Sequence, residues 1–262
     1  MSTSEAPALQ PEQHRYAFDG YDLAAFLPVA RRFGHERYGY VVTPNVDHLA
    51  RLEQKPNLAA PYNRASFVLL DSRLLSLLLR AWRKLSIPTC TGSDLTAQLL
   101  ATAVSPDDGV VLIGCSEAQA IELAQNHRLN RLAHYNPPMG FINDAAEVER
   151  CLWFIEAHSP FRYCLLAVGS PQQEIIAAQL LERGRARGLA LCIGASINFL
   201  TGGEKRAPRW MQSMGIEWAW RILQDPQRLL MRYVRAVPPL LRLLRRGNFS
   251  VRESAAIPPP AI

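Results

Sequence analysis

Six short apolar runs, each paired with a stretch of helical periodicity, constrain this chain more than any other feature. The runs fall at residues 38–42, 67–70, 109–114, 131–135, 162–167 and 189–193, and the helical patterns near 45–55, 72–84, 93–103, 117–127, 143–158 and 171–187. Strands that are apolar throughout are buried on both faces, and strand–helix alternation places them in a parallel sheet wrapped by helices. The expected fold class is therefore α/β: a mostly parallel, Rossmann-like sheet flanked by helices. There is no internal repeat. In open sheets of this kind ligands bind beyond the carboxyl ends of the strands, so the residues that follow each run are the candidates for function.

The last quarter departs from this pattern. Residues 205–252 hold eleven Lys or Arg against two acids, Glu217 and Asp225, whereas the whole chain has 29 basic and 23 acidic residues. The remainder is therefore slightly acidic. Arginines 228, 232, 235, 242 and 245 recur at helical steps beside an apolar stripe of Leu230, Tyr233, Val234, Val237, Leu241 and Leu244. Two readings fit this basic amphipathic segment. It lies in a lipid headgroup layer, each cation contributing about 1 kcal/mol near an anionic leaflet, or its stripe packs on the main domain beneath a solvated arginine face. Pro238 and Pro239 are expected to break it into two short helices. The division expected is an N-terminal segment 1–34, an α/β domain 35–204 that carries any catalysis, an arginine-rich amphipathic membrane-associating appendage 205–250, and a disordered tail 251–262 ending in Ile257-Pro-Pro-Pro-Ala-Ile262.

Several function classes are disfavoured. The start is polar with no basic-then-apolar leader, and no apolar run approaches the roughly 20 residues of a spanning helix, so a cytoplasmic protein, peripheral on the inner face of the membrane, is expected. The five cysteines lie far apart without zinc spacing and read as buried reduced thiols. Neither G-x-G-x-x-G nor a P-loop is present, which argues against a dinucleotide oxidoreductase or P-loop NTPase, and no resident cofactor is expected. There is no D-x-D pair to chelate a metal. Without a recognition-helix or aromatic-platform motif, nucleic acid is not an expected partner. A second copy of the chain is one way to cover the apolar side of the appendage, which makes a homo-oligomer a further expectation.

The strand-end loops hold the candidate site. Thr43-Pro-Asn45 opens a helix with a hydroxyl and a carboxamide, and these either bind a polar ligand or cap the helix. Asp71 emerges from the second strand as a general base or as an N-cap. Gly92, Ser93 and Asp94 form a turn into the next helix, with Gly92 suited to positive φ and the helix amides open to an anion. Gly114 repeats that arrangement more weakly. Ser170-Pro-Gln-Gln-Glu174 reads as a capping box with Ser170 as N-cap and Gln173 at its third position, leaving Gln172 and Glu174 for a ligand, and Gln173 too if the box does not form. Gly194 allows close backbone approach or packing against a helix. A diphosphate would be met by helix amides and by arginines such as Arg206 and Arg209.

Taken together, Thr43-Pro-Asn45, Asp71, Gly92-Ser-Asp94, Gly140-Phe141, Gly169-Ser-Pro-Gln-Gln-Glu174, Gly194, Arg206-Ala-Pro-Arg-Trp210, Gly215-Ile-Glu-Trp218, Arg221, Asp225-Pro226 and Arg232-Tyr233 resemble the WecG/TagA/CpsF glycosyltransferases over roughly residues 35–235. The resemblance implies an inverting, metal-independent transfer of a sugar from a UDP-sugar to a polyprenyl-diphosphate-linked saccharide, in assembly of bacterial exopolysaccharide, capsule or another surface glycan. It implies Asp71 as base, Thr43 and Asn45 as active-site polar residues, and Gln173 on the donor pocket, to which the strand-end reading adds Gly92, Ser93, Asp94, Gly114, Gln172, Glu174 and Gly194 as expected donor-binding residues. Arg206, Arg209, Arg221 and Arg232 would meet the diphosphate or the lipid-linked acceptor. Two motifs depart from the family: Asp71-Ser72-Arg73 stands for its Asp-Gly, and Ile197-Asn198-Phe199 for its Phe-Asp-Phe. The alternative is a non-catalytic scaffold or partner-binding subunit of a polysaccharide-assembly complex.

Overall fold

The computed structural model describes residues 15–34, 36–194, 196–202, 207–208, 211, 217–224 and 226–252, with residues 15, 218, 221, 228–230, 232, 233 and 236 described by backbone alone. In chain order the elements are β1 (Arg15–Asp19), α1 (Leu23–Arg32), β2 (Tyr38–Val42), α2 (Val46–Gln54), α3 (Ala59–Asn63), β3 (Phe67–Val68), α4 (Arg73–Arg83), α5 (Gly92–Thr102), β4 (Val110–Ile113), α6 (Glu117–His127), β5 (Leu132–Tyr135), α7 (Ala145–Ala157), β6 (Tyr163–Leu166), α8 (Gln172–Arg183), β7 (Gly188–Cys192), α9 (Ser196–Leu200), α10 (Glu217–Gln224), α11 (Pro226–Arg246) and β8 (Asn248–Arg252).

The central sheet has the order β3-β2-β7-β6-β4-β5, and every pairing is parallel. Alternate residues of its strands feed two cores. Val41, Leu112, Leu165 and Leu191 face α1, α5, α6 and α9, where they meet Phe26, Leu95, Leu99 and Leu123. Tyr40, Val42, Val111, Ile113 and Cys164 face α2, α4, α7, α8 and the end of α11, where they meet Leu49, Leu75, Leu79, Leu152, Ile176 and Leu243. Each fully buried aliphatic side chain contributes about 1.5–3 kcal/mol relative to exposure, so burial on both faces accounts for the unbroken apolar character of these strands. The expected α/β architecture is the one observed.

The chain passes from β2 out to β3 on one side and from β4 out to β5 on the other, and β6 and β7 fill the gap. Connections leaving in opposite directions open a crevice at the carboxyl ends of the strands. The first described strand lies apart from this sheet. β1 pairs in parallel with β8, Arg15 opposite Asn248 and Asp19 opposite Arg252. Val251 and Arg252, expected in the tail, therefore belong to a strand. The pair is fastened to the main domain by Asp19, whose Oδ2 accepts from the Val68 amide at 2.6 Å, and by the Arg252 guanidinium, which donates to the Ala65 carbonyl at 3.4 Å.

The proline break expected in the basic segment does not occur. α11 runs from Pro226 to Arg246 with Pro238 and Pro239 inside it. Prolines at these positions deprive the Val234 and Arg235 carbonyls of their helical donors. Both residues are exposed, so water can replace those donors. The carboxyl end of α11 is held by Arg83 of α4, whose Nη1 donates to the carbonyls of Leu244 at 3.0 Å and Arg245 at 3.3 Å. The expected apolar stripe also divides. Leu244 joins the core, Val234, Val237 and Leu241 stay exposed, and the side chains of Leu230 and Tyr233 lie outside the described residues; Met231 extends the exposed apolar face beside Arg235, Arg242, Arg245 and Arg246. Among the described residues no helix is long and apolar enough to cross a membrane.

Candidate active site

Three backbone and side-chain ties bring Thr43, Asp71 and Gly92 together at the carboxyl edge of β2 and β3. The Asp71 amide donates to the Pro44 carbonyl at 3.0 Å, which continues the β2–β3 pairing past the strand. The Cys90 amide donates to the Leu70 carbonyl at 3.0 Å and delivers the start of α5 to the same edge. There the Gly92 amide donates to Asp71 Oδ2 at 3.2 Å. The N-cap of α4 is Ser72, whose Oγ accepts from the Leu75 amide, so Asp71 does not cap the helix that follows it. Its carboxylate charge also bears on the neighbouring Cys90 thiol, which burial, with help from that charge, pushes up to about 12.

Gly92 is a glycine for a reason other than the one expected. It lies in the first turn of α5 rather than in a left-handed turn, and a Cβ there would sit 2.9 Å from Thr43 Oγ1 and 3.7 Å from Asp71 Oδ2. Space for the threonine is what requires it. Thr43 is buried at 8% exposure, and its hydroxyl donates to the Cys192 carbonyl at 3.4 Å, joining the ends of β2 and β7. Asn45 does cap a helix. Its Oδ1 accepts from the Asp47 and His48 amides while His48 Nδ1 accepts from the Asn45 amide, a complete capping box for α2. Asp94 accepts from the Thr91 hydroxyl at 2.7 Å and lies 3.8 Å from Arg73, so its carboxylate serves the cap of α5 and an ion pair, with Ser93 between them in the same turn.

The turn after β6 corrects another expectation. α8 is preceded by Pro171 at its N-cap with no side-chain cap, so the capping box on Ser170 does not form. Ser170 Oγ instead accepts from Arg51 Nη1 at 3.0 Å and lies 3.2 Å from the Tyr62 hydroxyl. Released from capping, Gln173 turns to the next strand end, where its Oε1 accepts from the Gly194 amide at 2.8 Å and its Nε2 donates to Glu174 Oε1 at 2.8 Å. Gly194 takes a left-handed φ of 53°, with room beside it, so conformation rather than crowding selects the glycine. Glu174 is 1% exposed. Burial raises its pKa above the usual glutamate range, opposed by the Gln173 hydrogen bond and the nearby Arg51 charge. Gln172 is half-buried at the start of α8, and its Oε1 has no hydrogen-bond partner among the described residues.

Further along the same edge, Gly114 ends β4 at φ 94°, and a Cβ there would sit 3.0 Å from the Ala167 backbone. Gln119 of α6 donates to Asn198 Oδ1 at 3.0 Å and to Thr201 Oγ1 at 3.3 Å. The asparagine in the departed Ile-Asn-Phe motif is thus tied to α6. Arg51 and Tyr62 carry no local signal in the sequence and look like ordinary helix residues until the fold delivers them to the strand ends, while Gln119 carries only that of the α6 capping box it forms with Ser116. Of the arginines expected at the diphosphate, Arg206 and Arg209 lie outside the described residues, and Arg221 and Arg232 sit on α10 and α11, described by backbone alone. Four of the five cysteines are buried thiols as expected, and Cys115 is half-exposed. A groove of about 600 Å³ lined by Asp107, Asp108, Arg131, His158 and Ser159 opens at the opposite, amino-terminal ends of β4 and β5, away from the candidate residues described at the carboxyl ends. Among the described residues no three His, Cys, Asp or Glu are grouped as metal ligands.

A carboxylate, a buried hydroxyl and helix amides gathered at the carboxyl ends of a parallel sheet suit proton abstraction beside a polar leaving group. The glycosyl transferase WecG/TagA/CpsF family model matches residues 14–254, which spans both the sheet and the strand pair made by β1 and β8. The chain therefore belongs to the WecG/TagA/CpsF family of glycosyltransferases.

Proposed function

We propose that the protein is an inverting, metal-independent transferase that moves a sugar from a UDP-sugar to a polyprenyl-diphosphate-linked saccharide during surface-glycan assembly. The observation that carries this reading is Asp71: a carboxylate at a strand end, displaced from the α4 cap by Ser72 and held by the Gly92 amide beside Thr43. Asp71 takes the proton of an acceptor hydroxyl as that oxygen forms a bond to the anomeric carbon. On the opposite face the bond to the UDP oxygen breaks, and UDP leaves with the electron pair. The departing charge is met by arginines of the appendage.

The site of action is the inner face of the cytoplasmic membrane. Support comes from the exposed apolar stripe of α11, Met231, Val234, Val237 and Leu241, which is flanked by four exposed arginines. Such a face docks to an anionic leaflet and confines the enzyme to the surface where a lipid-borne acceptor resides.

The test is UDP release from a panel of UDP-sugars, with a short-chain polyprenyl-diphosphate saccharide supplied in detergent. Acceptor-dependent release that collapses in Asp71→Asn is expected. Release indifferent to the substitution would move the base elsewhere, and no release with any donor and acceptor would favour the scaffold reading.

A further inference from the structure

Gln173 and Glu174 are neighbours in the first turn of α8, 2% and 1% exposed, yet each spends its polar atoms inside the protein. The Gly194 N–H can meet only the oxygen of the Gln173 carboxamide, which turns Nε2 away toward Glu174. Glu174 Oε1 accepts from that Nε2, so it supports the same orientation of the amide that serves Gly194. An apolar side chain of similar size would fill the site without the desolvation that a buried carboxyl incurs.

We infer that Glu174 is a positioning residue: by accepting from Gln173 it fixes the carboxamide that fastens the turn between β7 and α9 at Gly194, and so sets the floor of the donor pocket. Around it, Arg51 of α2 and Tyr62 of α3 hold Ser170, which also interacts with Glu174, so Glu174 touches the anchored turn after β6 directly and the turn after β7 through Gln173. The Thr43 hydroxyl reaches the same strand end at the Cys192 carbonyl. Displacement of Gly194 therefore propagates toward the reacting groups. The inference rests on the UDP-sugar reading above.

The experiment uses the full chain, with UDP binding followed by titration calorimetry and donor KM and kcat by UDP release. Glu174→Gln keeps an acceptor oxygen and is expected to bind UDP within about threefold of wild type, whereas Glu174→Leu is expected to weaken UDP binding and raise donor KM by about tenfold, the scale of one lost hydrogen bond, with a smaller change in kcat. Gln173→Glu sets two carboxylates side by side and should be impaired. The exchange Gln173→Glu with Glu174→Gln restores a donor at 174 and acceptors at 173, and should recover binding. Glu174→Leu that folds and binds UDP like wild type would overturn the inference. So would an exchange no better than Gln173→Glu alone, a comparison that stands even where the leucine variant does not fold. Failure of the wild-type protein to bind UDP would instead defeat the UDP-sugar reading, and this inference with it.

Discussion

The Gly92 amide donates to Asp71 Oδ2 at 3.2 Å, so the first turn of α5 holds the carboxylate that follows β3. One hydrogen bond joins two loops that are separate in the sequence and leaves Asp71 at the same edge as Thr43. Asp71→Asn retains a side-chain oxygen for that amide. The variant is expected to keep the fold and UDP affinity while kcat falls by about 10²–10⁴-fold, the usual worth of general-base assistance. Calorimetry and UDP release on the same preparation check both halves, and an undiminished kcat would remove Asp71 from the base role.

Gly92→Ala places a methyl 2.9 Å from Thr43 Oγ1. Overpacking of this kind typically costs about 1–3 kcal/mol, read as a lowered denaturant midpoint together with a loss of turnover. Adding Thr43→Ala removes the clashing oxygen. The double variant should regain stability without regaining activity, which separates the steric role of the glycine from the chemical role of the hydroxyl. Recovery of turnover in the double variant would show the hydroxyl to be dispensable.

Two buried carboxyls make stability depend on pH in a stated direction. Burial raises the pKa of Glu174, against the Gln173 hydrogen bond, and raises that of Asp19, against its hydrogen bond from the Val68 amide and the Arg252 charge. Each holds its proton more tightly folded than unfolded, so the folded chain binds more protons and stability falls as pH climbs from the ordinary carboxylate range. Their contribution is complete below the unfolded value, about 4, and is lost through the folded value. Glu174→Gln should flatten this slope and raise the melting temperature near neutral pH. Melting curves recorded between mildly acidic and neutral pH decide it, and an unchanged slope would count against a raised Glu174.

Val234→Asp with Val237→Asp places charge on the exposed stripe of α11, outside the core. Co-sedimentation with vesicles containing anionic lipid should drop sharply while the melting temperature holds. Raising salt should weaken the wild-type interaction in parallel, since each arginine near the leaflet contributes about 1 kcal/mol that ions screen. Vesicle binding that survives both changes would place docking on another surface.

Much of the sheet is legible in the sequence because doubly buried strands leave unbroken apolar runs. β2 and α6 match their expected limits residue for residue. The pairing of β1 with β8 left no such trace: Arg-Tyr-Ala-Phe-Asp and Asn-Phe-Ser-Val-Arg are short, mixed in polarity and at opposite ends of the described chain. α1 carries Pro28 inside it, which local propensity reads as a break. In the site, Thr43 and Asp71 were identified by type, yet whether either caps a helix turned on a shift of one or two residues. The caps fell on Asn45 and Ser72, and no spacing rule distinguishes these alternatives. Gly92 could be marked as special but for the wrong cause, because crowding by Thr43 is a tertiary fact.

The parallel pairing of β1 with β8 carries a consequence for the arginine-rich helices. Neighbouring strands lie about 4.8 Å apart, so the chain that follows α11 is buckled onto the domain at Asn248–Arg252. With Leu243 and Leu244 in the core and Arg83 on its last carbonyls, α11 is no free arm at its carboxyl end, and its approach to a surface must carry the whole α/β body along, strand ends and Asp71 included.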